Sequence, residues 1–199
     1  MKNNFKDIPN AKDRILNSTL YIIGKEGFQN VTIRKIAAAA DVNIASINYH
    51  FGSKDNVINE ALKCLTSKFI TSFKILDDKR LPPIERMRNF LRSYSDVSVE
   101  YPDVFRNFVS KLIYNEELEA EYIKFIQQEG IKSIRNILEE LTGIKDDNHL
   151  YMIGLQMISS LIFPILLNNK VESIINLNYK DKNVRYEYVE LLIKSIQHK

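Results

Sequence analysis

The stretch from Thr32 to Lys54, TIRKIAAAADVNIASINYHFGSK, constrains the chain most, because two complete helix-start signals follow each other within it and a third begins at its end. Thr32 is a good N-cap, and Val31 before it can pack on Ile36, a hydrophobic staple that fixes how the chain enters a helix beginning at Ile33. Ile33, Ile36, Ala37 and Ala40 then share one face at helical spacing, with Arg34 and Lys35 off it. Asp41, Val42 and Asn43 break the pattern, and the start signal repeats at once: Asn43 caps and Val42 staples onto Ile47. Ile47 and Phe51, four apart, suffice to anchor the second helix. Ile44, Ala45, Ser46, Asn48 and Tyr49 are left facing outward, a mix of small, polar and aromatic side chains that suits the floor of a major groove. Two helices joined by so short a turn form a helix-turn-helix, whose second helix offers base contacts while the first crosses the backbone.

The flanks complete a three-helix core. A helix from about Ala11 to Lys25 places Ile15, Leu16, Thr19, Leu20 and Ile23 on one face, and Gly27 before Phe28 is read as a left-handed stop. Ser53 caps the next helix, whose apolar face runs through Val57, Ile58, Ala61, Leu62, Leu65 and Phe69. It is expected over 53–76, long enough to connect two domains. Lys54 in its first turn would add a cation to helix amides that can hold a phosphate. The charge distribution agrees with this reading. The formal net charge is +3, and it arises from 8 Lys and Arg against 5 acids in residues 1–55, with 20 against 20 in the remainder.

The segments TIRKIAAAADV and INYHFGSKD, with a chain of this length, resemble the tetracycline-repressor (TetR) family of bacterial transcriptional regulators. The match is specific near the N-terminus; beyond it, helical character and length carry the resemblance. It implies base or phosphate contacts from Arg34, Ile44, Ala45, Ser46, Asn48, Tyr49 and His50, with Lys54 on a phosphate. Thr32 and Asn43, at the two helix starts, complete the candidate DNA-binding set. Two positions depart from the family pattern. Asp41 stands where a turn glycine is usual, although Asp tolerates the left-handed conformation better than most residues. Asn48 stands where the family often has tyrosine.

The expected architecture is all-α, with a helix-turn-helix DNA-binding domain over 1–55 and a larger helical ligand-binding and dimerisation domain over 56–199. The charged, proline-broken stretch from Asp77 to Pro83 is the one clear linker. After it, Ile84, Met87, Leu91 and Tyr94 mark a helix, Pro102 opens another, and a third is read from about Glu117 to Leu141. From Leu150 to Leu167 the apolar residues go all round the cylinder, which demands cover on two sides. The last helix is expected over 183–197, after a loop over 168–182 with a short helical turn. Met157, Leu161, Ile162, Ile165, Tyr188 and Leu192 are the candidate dimer-interface residues; the sequence does not say which of them face a partner.

Met87, Tyr94, Phe105, Phe108, Tyr122, Phe125, Met152 and Gln156 are the candidate ligand-binding residues. As single residues they are ordinary core, but as a set they could line a mostly apolar pocket between helices. In the TetR family a small molecule commonly binds there and lowers DNA affinity, so the resemblance supports the pocket.

No cofactor, metal or catalytic site is expected. Glu116, Glu117, Glu119 and Glu121 read as a solvated helix face, and His50, His149 and His198 lack ligand partners at helical spacing. Cys64 reads as a small core residue, and no phosphate-binding glycine loop or nucleophile motif occurs. The N-terminus has no secretory leader pattern, and residues 149–167 are short for a membrane span and carry Gln156, Ser159, Ser160 and Pro164. The expectation is therefore a cytoplasmic, homodimeric, non-enzymatic regulator without a membrane segment, acting on an inverted-repeat operator in double-stranded DNA. It is most simply a repressor released by a small, largely apolar effector. The alternative is a DNA-binding structural or cell-division protein on the same scaffold with no small ligand.

Overall fold

Each of the three start signals is used in the computed structural model, which describes residues 10–113, 124–167 and 169–197. Helix α1 spans Ala11–Glu26, α2 Ile33–Ala40, α3 Ile44–Phe51 and α4 Lys54–Lys74, the last continued by a 3₁₀ turn at Ile75–Asp77. The caps are those read from the sequence. Thr32 Oγ1 accepts from the Lys35 amide at 3.2 Å, Asn43 Oδ1 from the Ser46 amide at 2.6 Å, and Ser53 Oγ from the Asn56 amide at 3.2 Å. At Gly27 the structure departs from the expected left-handed stop: φ is positive at 83°, but ψ is 163°. The chain there turns out of the helix into a 3₁₀ turn at Phe28–Asn30 rather than curling back on α1.

The second half is helical throughout its described residues. Helix α5 spans Pro83–Glu100, α6 Pro102–Ile113, α7 Ile131–Thr142, α8 Asp147–Leu167, α9 Asn169–Ile175 and α10 Lys182–Gln197. Both α5 and α6 open on a proline, whose fixed φ and missing N–H suit a first turn. The third helix read from Glu117 to Leu141 is described only from residue 124. There it holds a π-helical turn at Ile126–Gly130 before α7, which Gly143 ends in the left-handed conformation. The expected loop over 168–182 contains α9.

By packing, the chain divides into two units, residues 10–67 with 103–113 and residues 68–102 with 124–197. The sequence places the division after Asp55; by packing it falls within α4, between Ser67 and Lys68, and α6 joins the first unit. In that first unit, Ile15, Leu20, Ile23, Val31, Ile36, Ala40, Ile47, Val57 and Ala61 make the core. The start of α6 packs on α1 at Gly24, where a Cβ would lie 3.1 Å from Asp103 Cβ and 3.3 Å from Val104 Cγ2.

The second unit is built on α5, which packs against α7, α8 and α10. Its centre is aromatic: Phe73 lies 4.9 Å from Phe90 and 5.4 Å from Phe125, and Phe69 lies 4.9 Å from Tyr94, ring centroid to ring centroid. A largely buried arginine stitches this unit's first turn. Arg86 Nη1 donates to the Leu76 carbonyl at 2.7 Å and Nε to the Leu81 carbonyl at 3.2 Å, while Nη2 pairs with Glu140 on α7.

Candidate nucleic-acid interface

The turn between α2 and α3 is held in three ways. Asp41 adopts φ 54° and ψ 52°, the left-handed conformation of a turn glycine, which Asp tolerates. The Val42 amide donates back to the Ala37 carbonyl at 3.1 Å, closing the end of α2. Arg14 on α1 donates Nε to the Ala40 carbonyl at 3.1 Å, placing a cation at the negative end of α2. These bonds fix the angle at which α3 leaves the core.

Ile47 and Phe51 are buried, and Ile44, Ala45, Asn48, Tyr49 and His50 are exposed, the arrangement read from the sequence. Ser46 is half-buried. Tyr49 is the most prominent, with 86% of its surface exposed, and its ring meets that of His50 edge-on at 5.2 Å. Arg34 is exposed on α2, whereas its neighbour Lys35 pairs with Glu26 on α1. Thr32 and Asn43 are exposed and already accept backbone hydrogen bonds, so what each has left for a phosphate is a donor, the hydroxyl or the amide NH₂. Lys54 is exposed in the first turn of α4. The result is a helix anchored by two residues that presents small, polar and aromatic groups, with cations on either side of it in sequence.

The remaining candidates are not all brought together. Met87 and Tyr94 are core residues of the second unit, and Phe125 packs on Phe73 beside them. Phe105 belongs to the first unit, where it is buried. Met152 and Gln156 lie on the outward face of α8, with Met152 62% exposed, and cannot line an interior pocket with Met87 and Tyr94. Tyr122, the side chain of Phe108, His198 and the glutamates of 116–121 lie outside the described residues. The second unit also contains a small, partly open cleft of about 20 Å³, lined by Val99, Pro164, Ile165 and Tyr179 among others, with room for about one water. Among the described residues no group of three or more His, Cys, Asp and Glu could hold a metal ion.

The dimer candidates require a correction of facing. Met157, Leu161 and Ile165 are buried within their own unit, together with Leu150 and Ile153. Ile162 and Leu192 are half-buried, as is Tyr188, whose hydroxyl donates to the Ser160 carbonyl at 3.0 Å. On these two helices, the large apolar residues that reach solvent are Tyr151, Met152, Leu155 and Phe163 on α8 and Leu191 on α10. None of Tyr151, Leu155, Phe163 and Leu191 stands among the dimer residues expected from the sequence. The one signal available was the all-round apolar pattern of α8, which says that two faces exist but not which is which. By length and composition α8 could cross a membrane; its inward stripe instead packs on α5 and α7.

Comparison with known proteins identifies the reader. Residues 15–61, which hold most of α1, all of α2 and α3 and the first turns of α4, match the family described as bacterial regulatory proteins, tetR family. The chain resembles that family over these residues. It is similar to the biofilm operon icaADBC HTH-type negative transcriptional regulator IcaR of Staphylococcus aureus (strain Newman), with 23% identity over 143 residues, 65% of this chain and 77% of that one. The probable HTH-type transcriptional regulator YttP of Bacillus subtilis (strain 168) is 33% identical over 63 residues, 32% of this chain and 28% of that one. The crystal structure of a TetR transcriptional regulator from Legionella pneumophila has the same fold, with TM-score 0.66 and 23% identity over 95% of this chain and 98% of that one. These matches support a DNA-binding transcriptional regulator, and the secondary structure of the described residues is helical throughout.

The position of Lys54 leads to a first prediction. Losing one phosphate contact lowers the slope of log affinity against log salt by about 1, so Lys54→Ala is expected to weaken binding to every sequence alike and flatten the slope by that amount per protomer. Binding titrations over a range of salt check this. A variant with the slope of the parent would take Lys54 off the phosphate backbone.

Proposed function

We propose that this chain is a TetR-family regulator, a cytoplasmic repressor that binds an inverted-repeat operator as a homodimer and leaves it when a small, largely apolar ligand occupies the second unit. The observation that carries the dimer is the outward apolar face of α8. A helix with one stripe buried in its own unit and a second, bulky apolar stripe in water lacks a cover, and a two-fold copy of the same helix supplies it with the same surface. Two-fold symmetry presents two copies of α3 to one duplex, hence half-sites about one helical turn apart or somewhat more. Repression is supported by the description of the staphylococcal relative as a negative transcriptional regulator.

The effector reading rests on the aromatic centre of the second unit. Phe69, Phe73, Phe90, Tyr94 and Phe125 fill it ring against ring, and Met87 is buried in the same core. A flat apolar ligand that replaced such ring contacts would bind only a rearranged interior. Any difference in its affinity for the free and the operator-bound states appears as an equal and opposite change in DNA affinity.

Selection of binding sites from a random duplex pool tests the reading. The parent is expected to enrich an inverted repeat. Asn48→Ala is expected to relax preference at one position per half-site, because asparagine can pair with adenine at about 1–3 kcal/mol of discrimination. A pool enriched without any repeat would overturn the dimeric operator, and an unchanged motif in the variant would remove Asn48 from base reading. For the effector, a panel of small apolar compounds screened by thermal melting should yield one that both stabilises the free protein and lowers operator affinity. A stabilising compound that leaves operator affinity unchanged is not the effector.

A further inference from the structure

Pro164 lies in the last turn of α8. Proline has no amide hydrogen, so the carbonyl four residues earlier, that of Ser160, loses the donor an α-helix would give it. That same carbonyl accepts a hydrogen bond from the Tyr188 hydroxyl on α10 at 3.0 Å. The side chain of one helix therefore stands where the backbone of the other has a gap. The Tyr188 ring is held in turn: Tyr179, itself buried, meets it edge-on with centroids 5.6 Å apart and planes at 83°. Burial pushes the Tyr188 hydroxyl above its ordinary pKa, so it stays a proton donor throughout the physiological range.

The position of this joint matters because of its neighbours. Phe163, 60% exposed, immediately precedes Pro164, and Leu191, 58% exposed, lies about one turn beyond Tyr188 on α10. The joint thus ties together the two helices that carry the outward apolar face. We propose that Tyr188 is a positioning residue for that face, its hydroxyl replacing the backbone donor that Pro164 deletes and so fixing the Phe163 end of α8 against α10. This rests on the homodimer reading above. Tyr188 itself need not touch the partner; it acts through the helix ends that do.

The test is a cycle of four proteins: parent, Tyr188→Phe, Pro164→Ala and the double variant, each followed by sedimentation for the dimer dissociation constant and by circular dichroism for helix content. In the parent background, Tyr188→Phe removes only the hydroxyl and is expected to weaken the dimer about tenfold, equivalent to about 1.4 kcal/mol, with helix content unchanged. Pro164→Ala returns an amide N–H to the Ser160 carbonyl. In that background the same tyrosine substitution is expected to change the dissociation constant by less than about twofold. Such a rescue is specific to the proposed substitution of donors, because a general packing role for Tyr188 would cost the same in both backgrounds. Equal costs in the two backgrounds, or no cost in the parent background, would overturn the proposal while leaving the dimer intact. A parent that sediments as a monomer would instead overturn the homodimer reading, and the positioning role with it.

Discussion

Leu155→Arg is expected to turn the proposed dimer into a monomer that keeps its fold, whereas Leu161→Arg on the same helix is expected to unfold the protein. The two leucines differ in facing. Leu155 is 69% exposed and Leu161 is fully buried. A guanidinium at an exposed position costs the isolated chain little, within about 0.5 kcal/mol. Across a two-fold axis, however, it would set a charge, with its own symmetry copy nearby, into an apolar patch, and interface truncations at such central positions commonly cost about 2 kcal/mol or more. At Leu161 the same guanidinium has no partner in the core, and burying an unpaired charge exceeds the whole stability of a domain, about 5–15 kcal/mol. Sedimentation and circular dichroism distinguish these outcomes. Leu155→Arg should sediment as a monomer with the parent's helix content and bind single half-sites weakly. If it sediments as the parent does, the outward face of α8 is not the interface.

The contrast between those leucines also shows what the sequence could and could not reveal. The reader was legible because its signals are local. Thr32, Asn43 and Ser53 cap within three residues of themselves, and Ile47 with Phe51 fixes one face of α3, so its outward residues follow. The left-handed Asp41 was legible only through the family resemblance, whose pattern has a turn glycine at that position. In α8 the local pattern is degenerate. Leu155 and Leu161 are the same residue type on a helix apolar all round, and only the neighbouring helices α5 and α7 decide which is inside. Met152 and Gln156 were assigned to a pocket for the same reason. The partners of Arg86 and Tyr188 were invisible because each acts at long range, the first across the turn from α4 to α5 and onto α7, the second on a carbonyl exposed by a proline in another helix.

Loss of the buried Arg86 should cost the second unit several interactions at once. It is only 2% exposed and holds three acceptors, the carbonyls of Leu76 and Leu81 and the carboxylate of Glu140. Arg86→Met keeps much of the apolar stem but leaves both carbonyls without that donor and Glu140 with only Lys79. Breaking a buried pair costs about 3–5 kcal/mol, and the partly exposed Glu140 places this case near the lower end. At about 2–4 °C per kcal/mol for a chain of this size, the melting temperature should fall by roughly 6–12 °C. Arg80, 88% exposed and paired to Asp78, is the control: Arg80→Met should leave the melting temperature essentially unchanged. The deficit should also depend on pH. The Lys79 and Arg86 hydrogen bonds hold the Glu140 carboxyl below its usual pKa. Its contribution is therefore complete above the unfolded-state value, about 4.3, and is lost as pH falls through the lowered folded value. The gap between parent and Arg86→Met should consequently be widest near neutrality and narrow in acid, without closing, because the two carbonyl bonds do not titrate. Denaturant unfolding at pH 7 and at successively lower pH measures it. A gap that stays constant as Glu140 is protonated would assign the stabilisation to the carbonyl bonds alone, and no gap at pH 7 would remove Arg86 as the stitch of this turn.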